Sequence, residues 1–256
     1  NTFDYAILGG GAAGLSLALE MIRGPLKDKS ILIVEKDAKD TNDRTWCFWT
    51  DEPSPYDSIA RHTWPRLRFR SPALDRTWDL APFRYLMVRG LDFYDLARAE
   101  LAEHDVTFLR GAAEVTDGEG IAEITVTHTH DTGTPEHVTQ YHASFAFDSR
   151  IRPSDVVPLP RRNYLKQHFL GWEVETANPV FDPATVTMFD LRTPQRGGIT
   201  FFYILPFTPT NALVEYTLFS PELLPAGDYE SALQGYLAEL CPGDYRIVER
   251  ERGVIP

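Results

Sequence analysis

The sequence has little of what disulfide scaffolds and nucleic-acid-binding surfaces need. It contains two cysteines in 256 residues, Cys47 and Cys241, and they form no CxxC pair. A disulfide framework is therefore excluded, and a reduced, cytosolic compartment is expected. Lysine and arginine number 25 against 37 aspartate and glutamate residues, giving a net charge of −12. This excess of acid argues against nucleic acid as a partner, because phosphates are bound by clustered basic side chains.

Long apolar runs are also lacking. No run reaches about 18 residues, so no membrane-spanning helix is expected. Residues 1–5 have neither the basic nor the apolar region of a secretory signal, and we expect none. What remains, 43% hydrophobic and 24% charged residues, is the composition of a globular protein with a sizeable core.

The chain opens with the pattern of a β-α-β unit. Residues 4–9 predict a buried strand, residues 12–22 a packed helix, and residues 30–34 a second strand that leads into Glu35. Both strands are apolar throughout, which is typical of parallel strands covered on both faces.

The turn in this unit has a GxGxxG pattern, formed by Gly9, Gly11 and Gly14, with Gly10 adding flexibility. The first glycine permits a tight turn, the second lets the backbone approach a pyrophosphate, and the third lets helix and strand pack closely. Glu35, about 20 residues further on, lies where a carboxylate binds ribose hydroxyls. An acid there disfavours a 2′-phosphate, so FAD or NAD is expected rather than NADP. The position at the start of the chain favours FAD.

The remainder of the chain reads as strands with few helices. Residues 46–83 are rich in proline and tryptophan and predict loops and strands inserted into the first domain. Further expected elements are a helix at 92–103, a strand at 106–109, a hairpin of 121–130 and 138–147 around a turn at 131–134, an antiparallel sheet over 163–219, a helix at 229–240 and a strand at 245–248.

Six later segments carry a family resemblance. They are residues 42–49 (NDRTWCFW), 85–90 (YLMVRG), 147–150 (FDSR), 167–175 (QHFLGWEVE), 201–207 (FFYILPF) and 213–220 (LVEYTLFS). With the glycine-rich opening, they make nearly the whole chain similar to bacterial lycopene β-cyclases, within the FAD-dependent monooxygenase-like superfamily. The combination is specific, whereas any one segment would not be.

The resemblance implies an α/β flavoprotein of two domains. Residues 1–45 and 84–150 would form a Rossmann-like FAD-binding domain, and residues 46–83 and 151–256 a mostly antiparallel β-sheet domain for the substrate. The family has a second flavin-contacting glycine motif near its C-terminal end. We expect that motif to lie beyond residue 256, so the chain given would lack the C-terminal part and would bind FAD poorly.

The implied activity is an acid-catalysed cyclisation without net oxidation. The acyclic ψ end groups of lycopene would close to β rings, giving γ-carotene and β-carotene in carotenoid biosynthesis, which makes the enzyme an isomerase (an intramolecular lyase). The resemblance also implies that FAD acts in its reduced form, with NAD(P)H as the reductant. Two alternatives stay open: an FAD-dependent monooxygenase or polyprenyl reductase acting on an isoprenoid, and a non-catalytic flavoprotein that binds carotenoid.

Glu215 is the candidate acid. It lies in an apolar run and shares one strand face with Leu213 and Thr217. Apolar neighbours raise the pKa of a carboxyl group by removing water, which keeps it protonated near neutral pH. The residues alone also allow an exposed strand glutamate. The resemblance independently places the essential acid of the family at Glu215.

Aromatic and charged residues complete the candidate site. Trp172, Phe201, Phe202 and Tyr203 are candidates to stabilise a carbocation through their π faces, with core packing as the alternative for each. On the cofactor side, related flavoproteins have an arginine at the position of Arg89 that reaches the flavin phosphate or ribityl chain. An ordinary surface arginine is the alternative there. Arg44 and Asp148 are further cofactor-side candidates.

The histidines and the local arginine clusters have ordinary explanations as well. His128, His130, His137 and His142 fall in the hairpin, but no carboxylate or cysteine completes a ligand set, so no metal site is expected. Two basic patches, of Arg61, Arg66, Arg68 and Arg70 with Trp64 and Phe69, and of Arg150, Arg152, Arg161 and Arg162, suit either an anionic membrane or a plain polar strand face. We expect a cytoplasmic protein that contacts the inner face of the cell membrane, where lycopene resides.

Overall fold

The computed structural model describes residues 1–129, 135–151 and 164–255. The helices are α1 (Ala12–Arg23), α2 (Gly90–Leu101) and α3 (Ala226–Leu240). The strands are β1 (Thr2–Leu8), β2 (Ile31–Glu35), β3 (Thr45–Thr50), β4 (Ala60–Trp64), β5 (Arg66–Ser71), β6 (Leu74–Asp79), β7 (Arg84–Arg89), β8 (Val106–Asp117), β9 (Ala122–Thr129), β10 (Pro135–Asp148), β11 (Lys166–Thr176), β12 (Thr185–Asp190), β13 (Ile199–Thr208), β14 (Asn211–Ser220) and β15 (Tyr245–Ile255).

The chain forms two compact units, and each is assembled from two separate stretches. The first unit comprises Asn1–Trp46 and Val88–Asp155, and the second comprises Cys47–Met87 and Val156–Pro256. That these units work as the FAD-binding and substrate domains stays a prediction.

The sheet of the first unit begins with the expected β-α-β arrangement. Strand β1 pairs in parallel with β2, where Leu8 lies opposite Val34, and in parallel with β10, where Leu8 lies opposite Asp148. These strands are apolar because they are buried: Ile7, Leu8 and Ile33 have no exposed surface. The carboxyl ends of β1, β2 and β10 consequently meet at one edge, the edge at which α/β sheets bind ligands.

A long hairpin completes this unit. Strand β9 is antiparallel to both β8 and β10, so five strands are hydrogen-bonded in the order β1-β10-β9-β8-β2. Strand β8 continues to Asp117, further than expected, because its second half pairs with β9 from Gly111 onwards. The turn expected at 131–134 lies outside the described residues.

A seven-stranded sheet dominates the second unit, in the order β15-β11-β14-β13-β12-β5-β6. The antiparallel sheet expected over 163–219 is present as β11 to β14. One pair departs from that expectation, since β12 runs parallel to β5, which comes from the inserted stretch 46–83. Strand β15 also extends further than expected, to Ile255, because it pairs with β11 along its length.

The two faces of this sheet have different covers. Helix α3 packs Leu233 and Leu237 on one face, over Trp172, Phe202 and Tyr216. On the other face lies a three-stranded sheet, β3-β7-β4. Its buried side chains Trp64, Tyr85 and Met87 pack on Val186, Leu205 and Leu213 of the large sheet. Successive residues of a strand therefore reach different cores.

The basic patch expected around residues 61–70 is not an open cationic surface. Trp64 is fully buried, and its indole nitrogen donates to the Pro206 carbonyl at 2.8 Å. Arginines of this stretch pair with acids, including Arg61 with Glu173 at 2.7 Å and Arg68 with Asp75 at 2.7 Å. Arg152, Arg161 and Arg162 lie outside the described residues. Within the described ranges, no helix combines the length and the apolar character needed to cross a membrane.

Candidate functional site

The glycine-rich turn of the first unit is shaped by close contacts that only glycine allows. Gly9 has a φ of +108°, in the region that favours glycine. A Cβ on Gly14 would lie 2.0 Å from the carbonyl oxygen of Gly9, so α1 can approach the turn only without a side chain there. A Cβ on Gly11, in contrast, would meet nothing within 4 Å. Gly11 thus leaves open space at the start of α1.

Glu35 is held at this turn by backbone donors. Its carboxylate accepts a hydrogen bond from the N–H of Gly10 at 2.6 Å and one from the N–H of Asp37 at 2.9 Å. A Cβ on Gly10 would lie 2.9 Å from the Cβ of Glu35, so position 10 also requires glycine for this approach. The carboxylate is fixed where β2 ends, next to the turn.

A cavity of about 910 Å³ opens beside the turn. Gly9, Gly11 and Glu35 line it, together with Arg44 and Arg150. The cavity offers N–H groups at a helix start, a fixed carboxylate, basic side chains and room at Gly11. This set of groups can hold the phosphates and the ribose of a dinucleotide.

Of the remaining cofactor-side candidates, only Arg44 lines this cavity. Asp148 ends β10 and forms an ion pair at 2.7 Å with Arg150, which lines the cavity. Arg89 precedes α2, forms an ion pair with Asp92 at 2.7 Å and does not line the cavity. The cofactor roles of all three stay predictions.

Ser149 and Arg150 were missed at the sequence level, although both line the cavity. The hydroxyl of Ser149 donates to the Leu8 carbonyl at 3.0 Å and lies 3.2 Å from that of Gly9. The sequence signal that could have indicated these two residues is their position directly after β10, because β10 lies beside β1 in the sheet. That signal needs the pairing of β1 with β10, which is a long-range contact.

The second unit holds a pair of neighbouring carboxyl groups, of which Glu215 is buried and Glu251 is partly exposed. Glu215 on β14 lies opposite Gly171 on β11, and Gly171 lies opposite Glu251 on β15. A Cβ on Gly171 would lie 2.9 Å from the Cγ of Glu215 and 3.0 Å from the Cγ of Glu251. The missing side chain at Gly171 is what lets the two carboxyl groups meet across the middle strand, where they form a hydrogen bond.

Burial decides the protonation state of Glu215. Burial raises the pKa of Glu215 well above its ordinary value, and the hydrogen bond to Glu251 and the charge of Glu251 raise it further. The apolar neighbour Leu213 lies on the same strand face and packs with Trp64, Tyr85 and Leu205. The exposed glutamate that the sequence allowed is excluded, since Glu215 is buried. A protonated carboxyl group near neutral pH follows from this environment.

Two tyrosines and a thiol surround this pair. Tyr203 lies opposite Glu215 on β13, and its hydroxyl donates to that of Tyr85 at 2.9 Å. The thiol of Cys47 lies beside both tyrosines, and burial raises its pKa to about 12. Burial also raises the pKa of both Tyr85 and Tyr203. None of the three is an anion near neutral pH, so the cluster is polar without adding charge.

The four candidate aromatic residues do not gather around Glu215. Tyr203 and Phe201 lie on the same face of the large sheet as Glu215, since Tyr203 is opposite Glu215 and Phe201 is opposite Thr217. Trp172 and Phe202 lie on the other face, in the core under α3, where Phe202 stacks on Tyr236 at 3.8 Å between ring centroids. Trp172 and Phe202 thus have the core packing that the sequence allowed as their alternative, and a role in stabilising a cation stays a prediction for each of the four. The strands are apolar on both faces, so the sequence did not show which face each residue takes.

The histidines of the hairpin form no recognised metal site in the described ranges. The rings of His128 and His137 stack at 4.3 Å, and no group of three or more histidine, cysteine, aspartate or glutamate ligands is present there. His130 lies outside the described residues.

The sequence is similar to known proteins along its length. A family model described as "Lycopene cyclase protein" matches residues 4–256. A lycopene beta-cyclase of Paracoccus sp. (strain N81106 / MBIC 01143) is 26% identical over 268 residues, which cover 100% of this chain and 61% of the relative. The chain therefore spans less than two thirds of that relative.

Solved structures share the fold. A geranylgeranyl bacteriochlorophyll reductase-like protein of Thermoplasma acidophilum has a TM-score of 0.70 at 14% identity, covering 99% of this chain and 66% of its own. The flavin-dependent monooxygenase PieE, solved with FAD and substrate, has a TM-score of 0.68 at 14% identity, covering 99% of this chain and 49% of its own. The expected fold class is confirmed: an α/β protein with a Rossmann-like FAD-binding fold and a mostly antiparallel second sheet.

Proposed function

The chain belongs to the lycopene cyclase family, and from this premise we propose that it catalyses the acid-triggered closure of the ψ end groups of lycopene to β rings, with Glu215 as the proton donor. The reaction is an isomerisation, because the product has the same atoms as the substrate. The activity is proposed for the protein that carries this chain, which spans 61% of its curated relative.

The observation that carries the proposal is the buried carboxyl group of Glu215. An alkene is a very weak base, so its protonation needs an acid that is still protonated near neutral pH and is shielded from water. Burial first, and then the neighbouring Glu251, raise the pKa of Glu215 well above its ordinary value. A monooxygenase or a hydride-transferring reductase has no need of such an acid at this place.

The residues around Glu215 suit the later steps. Once the terminal double bond takes the proton, a tertiary cation forms and the neighbouring double bond attacks it to close the ring. We propose that the rings of Tyr203 and Phe201, on the same sheet face as Glu215, stabilise the cation through their π faces. The surrounding apolar side chains, such as Trp64 and Leu213, exclude water that would capture the cation.

FAD is the proposed cofactor, and the residues of the first unit fit it. Gly11 leaves room for the pyrophosphate, the start of α1 supplies N–H groups, and Glu35 is fixed for the ribose of the ADP half. Bound in its reduced form, FAD would supply negative charge to a nearby cation. NAD(P)H is proposed only as the source of the electrons that reduce it.

We propose a cytoplasmic protein that touches the inner face of the cell membrane, because lycopene is too apolar to leave the bilayer freely. The arginine patch does not support this, since acids neutralise it. Strand β6 does, because it is exposed along its whole length and presents Leu74 and Trp78 to solvent, with the Arg76 guanidinium 5.1 Å from the Trp78 ring centroid. Amphipathic side chains of this kind favour the interface of a membrane.

The mass of the product tests the reaction class. Bacteria that accumulate lycopene would express the protein, and their pigments would be separated and weighed by mass spectrometry. We expect a cyclised pigment with the mass of lycopene. Added oxygen would indicate a monooxygenase, added hydrogen a reductase, and unchanged lycopene beside folded, flavin-loaded protein a carotenoid binder.

A further inference from the structure

Glu251 is the partly exposed partner of the buried Glu215, and the proposed proton donation assigns it no role. It lies on β15, opposite Gly171, and its side chain hydrogen-bonds that of Glu215. In the resting protein, two carboxyl groups this close do not both carry a charge, so the pair holds one proton between them. One member is then an acid and the other is a carboxylate. Once Glu215 has given up that proton, both are carboxylates, and the positive charge of the substrate cation offsets the second negative charge.

The cyclisation needs such an acid and such a base close together. One carbon of the end group gains a proton at the start, and another carbon loses a proton at the end. In the closed ring both carbons are bonded to the same third carbon, so the proton arrives and departs at neighbouring positions. An acid and a base joined by one hydrogen bond match this requirement.

We propose that Glu251 is the base that removes the ring proton, so that one carboxyl pair both starts and ends each cyclisation. This inference rests on the proposed function. Glu215 gives its proton to the terminal double bond, and a C–H bond forms as the π bond breaks. The second double bond closes the ring and leaves a cation beside the carbon that carries the departing proton. The Glu251 carboxylate takes that proton, and the C–H electrons form the ring double bond.

The pair then resets itself. The proton moves from Glu251 to Glu215 through the hydrogen bond between them, which restores the starting state. One proton enters the substrate and one leaves it, and no electrons are gained or lost, so no co-reactant enters the balance. Between turnovers the carboxyl protons of the pair exchange with solvent.

Other groups beside Glu215 are poor bases. The Cys47 thiol has a pKa of about 12 because it is buried, and burial likewise raises the pKa of Tyr85 and of Tyr203. These three groups keep their protons near neutral pH and have no anionic form to offer. His168 lies on the opposite face of β11 from Gly171. There its Nε2 is hydrogen-bonded to the Ser220 hydroxyl at 2.8 Å.

The test uses Glu251→Gln in heavy water. Glutamine fits the same space and hydrogen-bonds Glu215, but it cannot take up a proton. Flavin-loaded, reduced protein would be incubated with lycopene in phospholipid vesicles in D₂O, and both the recovered substrate and the products would be examined by mass spectrometry and NMR. Wild type is expected to form β rings with one deuterium per ring, and this result also checks the proposed function separately.

For E251Q we expect β-ring formation to fall about 100-fold or more, the usual size of a lost general base. Glu215 still protonates the substrate, so recovered lycopene should carry deuterium at its terminal double bond. E215Q should give neither rings nor label. Glu251→Asp, which keeps a carboxylate, should recover much of the lost rate. If E251Q fails to bind flavin, the rate of E251D tests the inference instead.

Three results would overturn the inference while wild type still forms rings. They are a near-normal rate in E251Q, an E251Q protein that is folded but leaves lycopene unlabelled, and an E251D protein that is folded and no faster than E251Q. Wild-type protein that forms no rings would instead reject the proposed function itself.

Discussion

The hydroxyl of Tyr203 lies 2.9 Å from that of Tyr85, which ties strand β13 of the large sheet to strand β7 of the small one. Tyr85 is buried and Tyr203 is partly buried beside the Cys47 thiol, and the two hydroxyls are hydrogen-bonded to each other. Tyr203 lies opposite Glu215, so this contact also holds the strand position next to the carboxyl pair.

Removing either hydroxyl should show the strength of this contact. Y203F and Y85F should each lower the free energy of unfolding by about 1 kcal/mol, and the double variant should lose less than the sum of the two. Urea unfolding of the four proteins measures the coupling. Strictly additive losses would mean that the two hydroxyls do not stabilise each other.

Gly171→Ala should separate the carboxyl pair. Its Cβ would lie 2.9 Å from the Cγ of Glu215 and 3.0 Å from that of Glu251, so one side chain must move. We expect a loss of about 1–3 kcal/mol in unfolding free energy, as for other overpacked cores, and a fall in ring formation of at least about tenfold.

Gly235→Ala is the matched control for that variant. Gly235 lies on the exposed side of α3, and a Cβ there would meet nothing within 4 Å. It should raise stability by up to about 1 kcal/mol through helix propensity and leave ring formation unchanged. Equal activity in G171A and G235A would contradict a role for the contact between the two carboxyl groups.

Two glycines of the nucleotide turn should respond in opposite ways. Gly11→Ala places a methyl group in open space, so the flavin-free protein should keep its melting temperature while its affinity for FAD falls at least about tenfold. Gly14→Ala places a methyl group 2.0 Å from the Gly9 carbonyl oxygen, so its melting temperature should fall sharply. Calorimetry and flavin titration separate the two. Normal FAD affinity in G11A would contradict the proposed position of the pyrophosphate beside Gly11.

The raised pKa of Glu215 predicts a direction for stability against pH. Above the ordinary carboxyl pKa of 4.5, the unfolded state loses this proton while the folded state keeps it. The unfolding free energy of wild type should therefore fall as pH rises, by at most about 1.4 kcal/mol per pH unit from this group, until the folded pKa is passed. The groups that face Glu215 are Glu251, Tyr203, Tyr85 and Cys47.

E215Q is neutral at every pH, so it should lack this part of the slope and gain on wild type as pH rises. Chemical denaturation between pH 5 and 9 would measure both proteins. Parallel curves would mean that Glu215 ionises as readily in the folded state as in the unfolded state.

The sequence predicted local features well and long-range ones poorly. The strand, the turn of Gly9 to Gly14, the helix and Glu35 are contained in one short stretch, and each residue type has a local steric or polar reason to be there. Glu215 was selected from its apolar run and its family motif, which lie together in the chain, and the structure buries it; its role as the acid stays a prediction.

Features that depend on strand pairing were not predicted from the sequence. Glu251 and Gly171 matter only because β11 lies between β14 and β15, and no local pattern specifies that order. The sequence left open whether Trp172 and Phe202 face the reacting group or the core, because their strands are apolar on both faces. Period-two alternation, which would have shown the face, is lost in a strand that is buried on both sides.

The most direct test of the central claim is the amount of ring-closed pigment made by Glu215→Gln. The control is Glu175→Gln, an exposed glutamate on the neighbouring strand β11. Each variant and the wild type would be expressed in lycopene-accumulating bacteria, with protein level and bound flavin measured beside the pigments. We expect E215Q to lose about 100-fold or more of the cyclised pigment while E175Q matches wild type. Cyclised pigment at a near-normal level in E215Q would contradict the account, because the proton would then have to come from another group.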